Sequence, residues 1–180
     1  MGASIGGGAS DAGNGGSGGN LIVYGGTIEA ESSGAGAAIG GGGRDGSLYS
    51  GNGCRMTVYG GSIKANGKYA AIGAGYNIGR AEYAAGGELF FYKGEVTAYS
   101  ENTYGIQADI YADRDIAVKL GDNEASGIDG KLEEYQAQPT HYVQLKPAKT
   151  VSDVYVVFNS MGGSEVAMKT VKSGEKVDSI

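Results

Sequence analysis

Three tyrosines, Tyr24, Tyr59 and Tyr92, stand in three versions of one phrase: NLIVYGGTIEA at 20–30, RMTVYGGSIKA at 55–65 and ELFFYKGEVTA at 88–98. Each follows an apolar residue (Val23, Val58 or Phe91), so strand alternation turns the rings outward. A row of exposed rings one rung apart would offer flat faces for sugar stacking and phenol hydroxyls for hydrogen bonds. The same row could equally do no more than stabilise the face that carries it, because like residues pack well along a ladder. Ile22, Thr57 and Phe90 point outward in the same scheme, as an apolar strip that is either open or covered by loops.

A second chemistry is suggested by Asp109, Asp113 and Asp115 in QADIYADRD. Carboxylates this close suit calcium, which takes several oxygen ligands in irregular geometry. The competing reading is a solvated turn neutralised by Arg114. The pieces GGASD and GGRDG hint at a glycine-rich calcium repeat, but its nine-residue period is missing. No cofactor is expected, calcium at Asp109, Asp113 and Asp115 being the alternative.

Catalysis finds less support. Glycoside hydrolysis needs two carboxylates facing a groove. The acids within the repeated strands are Glu29, Glu88 and Glu95, and each aligns with non-acidic residues in the other repeats. Arg55, Lys64 and Arg80 could serve a lyase only as isolated bases. His141 is the single histidine, which leaves no Ser-His-Asp arrangement in prospect. Cys54, the single cysteine, aligns with Gly19 and Gly87 and reads as a tolerated small residue. The chain is therefore expected to be non-enzymatic, the alternative being a polysaccharide-active enzyme of the pectin-lyase-like class.

The net charge is −6 with no basic block, which disfavours nucleic acid as a partner. No apolar run is long enough to span a bilayer, so membrane insertion is not expected. Gly supplies 36 of 180 residues. That richness alone would suggest low complexity, but apolar residues recur in fixed columns and argue for a packed fold.

Those columns define the elements that must hold the tyrosines. Leu21, Met56 and Leu89 share one column, Val23, Val58 and Phe91 a second, Ile28, Ile63 and Val96 a third, and Ala30, Ala65 and Ala98 a fourth. Ile5, Ile39, Ile72 and Ile106 form another, 34, 33 and 34 residues apart. The alternation within each phrase is two, so the unit is built of strands. A period of this length means a solenoid. The sequence predicts an all-β, right-handed parallel β-helix of about three to four coils, with a C-terminal β-rich extension. The last coil is expected to use DIAVKL, 115–120, with Ile116 and Val118 in the Leu and Val columns. Residues 1–120 would be the β-helix, 121–150 a cap and linker containing the strand HYVQLK, and 151–180 a further β unit opened by the strand VYVVFN.

The glycine-rich block resembles imperfect repeats of large bacterial surface proteins, often adhesin-like or carbohydrate-binding. The segment VYVVFNSMGGSEVAMKTVKSGEKV at 154–177 resembles the opening half of a Listeria–Bacteroides (internalin B-) repeat, through its strand, the turn at Asn159, Gly162 and Gly163, and VKSGEKV. The second half of that unit, with its G-Y-x-F-x-G-W signature, is missing. Both resemblances imply an extracellular or wall-attached protein with further domains; Met1 falls inside a repeat, which fits a piece of such a parent. The partner they imply is a polysaccharide or a host or cell-surface glycan, bound by an adhesive face, or else the solenoid is a plain spacer or structural stalk.

Overall fold

The computed structural model describes residues 1–10, 12–112, 116–130, 132 and 139–148, together with the backbone of strands 153–156 and 169–172. The alternation and period write themselves directly into strands. The first coil holds β1 (Ile5–Gly6), β2 (Asn20–Val23) and β3 (Thr27–Ser32). The second holds β4 (Ile39–Gly40), β5 (Arg55–Val58) and β6 (Ser62–Gly67). The third holds β7 (Ala70–Gly73), a small hairpin of β8 (Tyr76–Asn77) and β9 (Glu82–Tyr83), then β10 (Gly87–Phe91) and β11 (Glu95–Ser100). A shorter fourth adds β12 (Tyr104–Ile106) and β13 (Ala108–Ala112).

Equivalent strands stack in parallel into three sheets, β1-β4-β7-β12, β2-β5-β10-β13 and β3-β6-β11. The register is the one the columns demand. Ile5 pairs with Ile39, Ile39 with Ile72 and Ile106 with Ile72. Leu21, Met56 and Leu89 stand in line, as do Ile28, Ile63 and Val96. This is a parallel β-helix of about three coils. Its core is thin, filled by inward files from each sheet: Ile39 and Ile72, Met56 and Leu89, Val58 and Phe91, and Ile63 and Val96 are all buried. Each such side chain contributes about 1.5–3 kcal/mol of burial. Ala65 and Ala98 fill the narrow places between them.

Corners are made by glycine. Gly26, Gly61 and Gly94 carry φ of 84°, 94° and 103° between the second and third sheets, a region that glycine enters without steric cost.

The fourth coil departs from the sequence expectation. DIAVKL does not continue the Leu and Val columns. Ile110 pairs with Leu89 and Ala112 with Phe91, so β13 is the fourth rung of that sheet. The reason is a missing loop. One residue, Gln107, separates β12 from β13, where earlier coils insert a long glycine-rich excursion. Ile116 and Val118 belong instead to β14 (Ile116–Gly121). That strand pairs antiparallel with β16 (Tyr142–Pro147), which itself pairs antiparallel with β11, Val96 opposite Leu145. The strand β15 (Ile128–Gly130) closes the series on β14. Val143 and Leu145 of β16 point inward and are buried, which seals a sheet edge that would otherwise be open. The amides of Ser100 and Gly105 donate to the carbonyls of His141 and Thr140 at 2.9 and 2.7 Å, tying the approach to β16 onto the last coil.

Residues 149–180 form a separate unit. In it β17 (Asp153–Val156) and β18 (Lys169–Lys172) pair antiparallel, Val154 opposite Val171. Asn159, Gly162, Gly163 and residues 173–177, which carry the Listeria–Bacteroides resemblance, lie outside the described residues. Among the described residues no helix is long and apolar enough to cross a membrane.

Candidate functional site

The outer face of the sheet β2-β5-β10-β13 carries the tyrosines. Each follows the last inward residue of its strand, and the amides of Tyr59 and Tyr92 donate to the carbonyls of Val23 and Val58 at 2.8 and 2.9 Å. The rings project into solvent: Tyr24 is 76% and Tyr59 45% exposed, and Tyr92 is half-buried. Tyr24 and Tyr59 stack with centroids 5.3 Å apart and planes 11° from parallel, and Tyr59 and Tyr92 at 5.0 Å and 12°. The three side chains form one continuous ladder.

Two positions earlier on the same strands runs a second file. Its members are Ile22, Thr57, Phe90 and Tyr111, in register across the sheet. Ile22 is 55% and Tyr111 47% exposed and Thr57 and Phe90 are half-buried, so among the described residues no loop closes over this strip. Phe90 stacks on Tyr111 at 4.9 Å, and the Arg55 guanidinium lies 4.7 Å from the Phe90 centroid. Sequence reasoning missed Tyr111, because it placed the fourth rung at 115–120. The signal was present in the alternation of ADIYA, where Ile110 is apolar and inward.

A third row completes the face: Asn20, Arg55, Glu88 and Asp109. Arg55 Nε lies 3.6 Å from Glu88 Oε2, an exposed pair of small energetic weight. Register sets Glu88 beside Asp109, their backbones about one strand spacing apart (~4.8 Å). Asp109 is exposed. Asp113 and Asp115, the other members of the expected calcium set, lie outside the described residues. Among the described residues no group of three or more His, Cys, Asp or Glu is placed to hold a metal ion.

The remaining sequence candidates scatter. Glu29 and Lys64 share a row of the third sheet, and they line an open polar recess with Glu31 and Asn66. Glu95 stands between Lys146 Nζ at 3.6 Å and Gln144 Nε2 at 2.7 Å. Arg80 pairs with Glu82 and lies over the Tyr49 ring, in the loops away from the tyrosine ladder. Cys54 is buried, and burial pushes its thiol above its ordinary value of 9.0. It does not share a face with the tyrosines.

One cluster gave no sequence signal. Tyr69, Tyr76, Tyr83 and Tyr104 gather beside the first sheet, Tyr69 and Tyr76 stacked at 4.1 Å and Tyr83 edge-on to Tyr104 at 5.1 Å. Tyr83 Oη donates to the Tyr69 carbonyl at 2.9 Å. Desolvation raises the Tyr83 phenol above its usual range, helped by the neighbouring phenols and opposed by the Thr103 hydroxyl. The hairpin β8–β9 brings Tyr76 and Tyr83 together, so the cluster braces the loop layer rather than facing outward.

No protein family, curated protein or solved structure matches this chain.

Proposed function

We propose that the chain is a non-enzymatic module of a secreted or cell-surface bacterial protein, and that the aromatic face of its solenoid holds polysaccharide. The observation that carries this reading is the uncovered double file of Tyr24, Tyr59 and Tyr92 beside Ile22, Thr57, Phe90 and Tyr111. A contiguous apolar and aromatic surface exposed on a small domain marks an interaction site. Its polar tips, the phenol hydroxyls, suit a ligand that is itself polar and repetitive. The resemblance to adhesin-like repeats points the same way.

Glu88 beside Asp109 favours a second reading, a polysaccharide-active enzyme. Two neighbouring carboxylates next to a sugar-binding strip are the minimum for glycoside chemistry. Against it, Glu88 faces Arg55, and the described part of the row lies on a solvated face.

A panel of plant and host polysaccharides separates the readings. A binding module retains polymer, with and without calcium, and releases no reducing or unsaturated ends. Product release that is lost in Glu88→Gln would replace it with the enzyme. Neither retention nor product from any polymer would leave a structural stalk.

A further inference from the structure

Resting on the glycan-binding reading, we propose that the aromatic face selects a neutral, extended β-1,4-linked glycan lying along the solenoid axis, one sugar per rung. The first step is what the rings cannot do. Their faces are turned to each other along the axis, 5.3 and 5.0 Å apart and nearly parallel. No sugar fits between them. Phe90 is closed on both sides, by Tyr111 and by Arg55. Flat stacking of a sugar on a ring face is therefore left at most to the two ends of the ladder. Over the rest of its length the face presents ring edges and phenol hydroxyls.

The second step is the repeat. One phenol recurs at each rung, at a constant step close to 5 Å. A ligand that meets every rung must present a hydroxyl-bearing edge at that step. An equatorially linked β-1,4 pyranose chain is a straight ribbon that advances by nearly this distance per sugar, with alternate sugars turned over, so every rung meets one sugar edge while a given hydroxyl recurs at every second rung. An α-1,4 chain curls away after a unit or two. An extended peptide advances by about 3.3 Å per residue and falls out of step at once. The file of Ile22, Thr57, Phe90 and Tyr111 runs parallel to the tyrosines two residues, or about 7 Å, away. The two files make a track rather than a single line.

The third step is charge. The flanking row reads Asn20, Arg55, Glu88 and Asp109, with its one cation paired to Glu88. Among the described residues no basic file runs along this face to match a polyuronate, and Glu88 and Asp109 would repel one, so a neutral polymer fits.

The test is calorimetric titration of the full chain with cellohexaose, chitohexaose and maltohexaose, and with shorter members of the cello series. The expected result is binding of the β-1,4 hexaoses alone, with affinity rising with length up to about three sugars, one for each phenol of the ladder. Tyr59→Phe, which keeps the ring and the stack, should weaken binding about fivefold, the worth of one hydrogen bond, with an unchanged melting temperature. Equal binding of α- and β-linked hexaoses, or affinity independent of length, overturns the β-1,4 track while leaving glycan binding intact. Binding of no oligosaccharide together with retention of no polysaccharide overturns both.

Discussion

Cys54 shows how much a single position is governed by its coil. It sits in the core cluster at the turn into β5, and the backbone opposite it is Gly87, where an added Cβ would meet the Cys54 carbonyl oxygen at 2.1 Å. Desolvation raises the thiol above 9.0, only partly offset by a backbone hydrogen bond. The folded chain thus holds the thiol proton more tightly than the unfolded one. Stability from this group is complete below about pH 9 and is lost as pH rises through the higher folded value. Tyr83 acts in the same sense from 10.0. The melting temperature should be flat up to about pH 9 and fall above it, and Cys54→Ala should flatten the early part of that fall. Iodoacetamide should label Cys54 only after urea unfolding; equal labelling rates in native and unfolded chains would sink the argument. The small-residue role of Cys54 and the outward tyrosines were legible from columns alone, because alternation determines which way a Cβ points. The closed ring faces were not legible, since side-chain torsions decide whether neighbouring rings stack or splay.

Between the sheets, the glycine-rich loops turn out to be an element in their own right. The sequence reads them as variable connections. In the structure the outgoing and returning legs of successive loops hydrogen-bond in one zigzag. Gly16 donates to Gly8, Gly42 to Gly16, Gly51 to Gly42 and Gly75 to Gly51, at 2.8 to 2.9 Å. Backbone packs on backbone with no room for a side chain. A Cβ on Gly42 would lie 2.2 Å from the Gly8 oxygen, and one on Gly51 1.8 Å from the Gly16 oxygen. Gly8 faces open space. Gly42→Ala should therefore cost at least the upper end of the roughly 1–3 kcal/mol typical of overpacking, because carbonyls cannot change rotamer to relieve it. Gly8→Ala should be close to neutral. Urea melts of the two variants compare them directly, and similar midpoints would refute the ladder. Gln107 ends the element: its Oε1 accepts from Ala74 N at 3.2 Å and its Nε2 donates to the Ala84 carbonyl at 3.3 Å. One side-chain amide thus supplies a donor and an acceptor that a further loop would have brought. This explains why the period-based reading failed at the fourth coil. A repeat count assumes that every coil keeps its loop, and the chain drops this one by substituting a glutamine.

A solenoid gives its two ends different fates, because each coil contacts only its neighbours. At the C-terminal end the third sheet is continued antiparallel by β16 and β14. At the other end β1, β2 and β3 are edge strands, and Ile5, Leu21 and Ile28 are only partly buried, where the same columns one coil later are fully buried. Long exposed edges of this kind invite pairing between molecules. Two copies meeting at this end about a two-fold axis would lay β3 antiparallel on β3. Opposed residues in such a pair point to the same face. Glu29 and Glu31, both outward and exposed, would then face the same residues of the second copy, carboxylate against carboxylate. In this chain, their charges would oppose such a pairing. The double substitution Glu29→Thr, Glu31→Thr should raise self-association, seen as an increase in weight-average sedimentation coefficient with concentration that exceeds that of the wild type. Added salt should move the wild type in the same direction by screening the carboxylates, while leaving the variant nearly unchanged. If the variant sediments as the wild type does at every concentration, charge is not what keeps this edge apart, and the reason must be sought in the twist of the first coil.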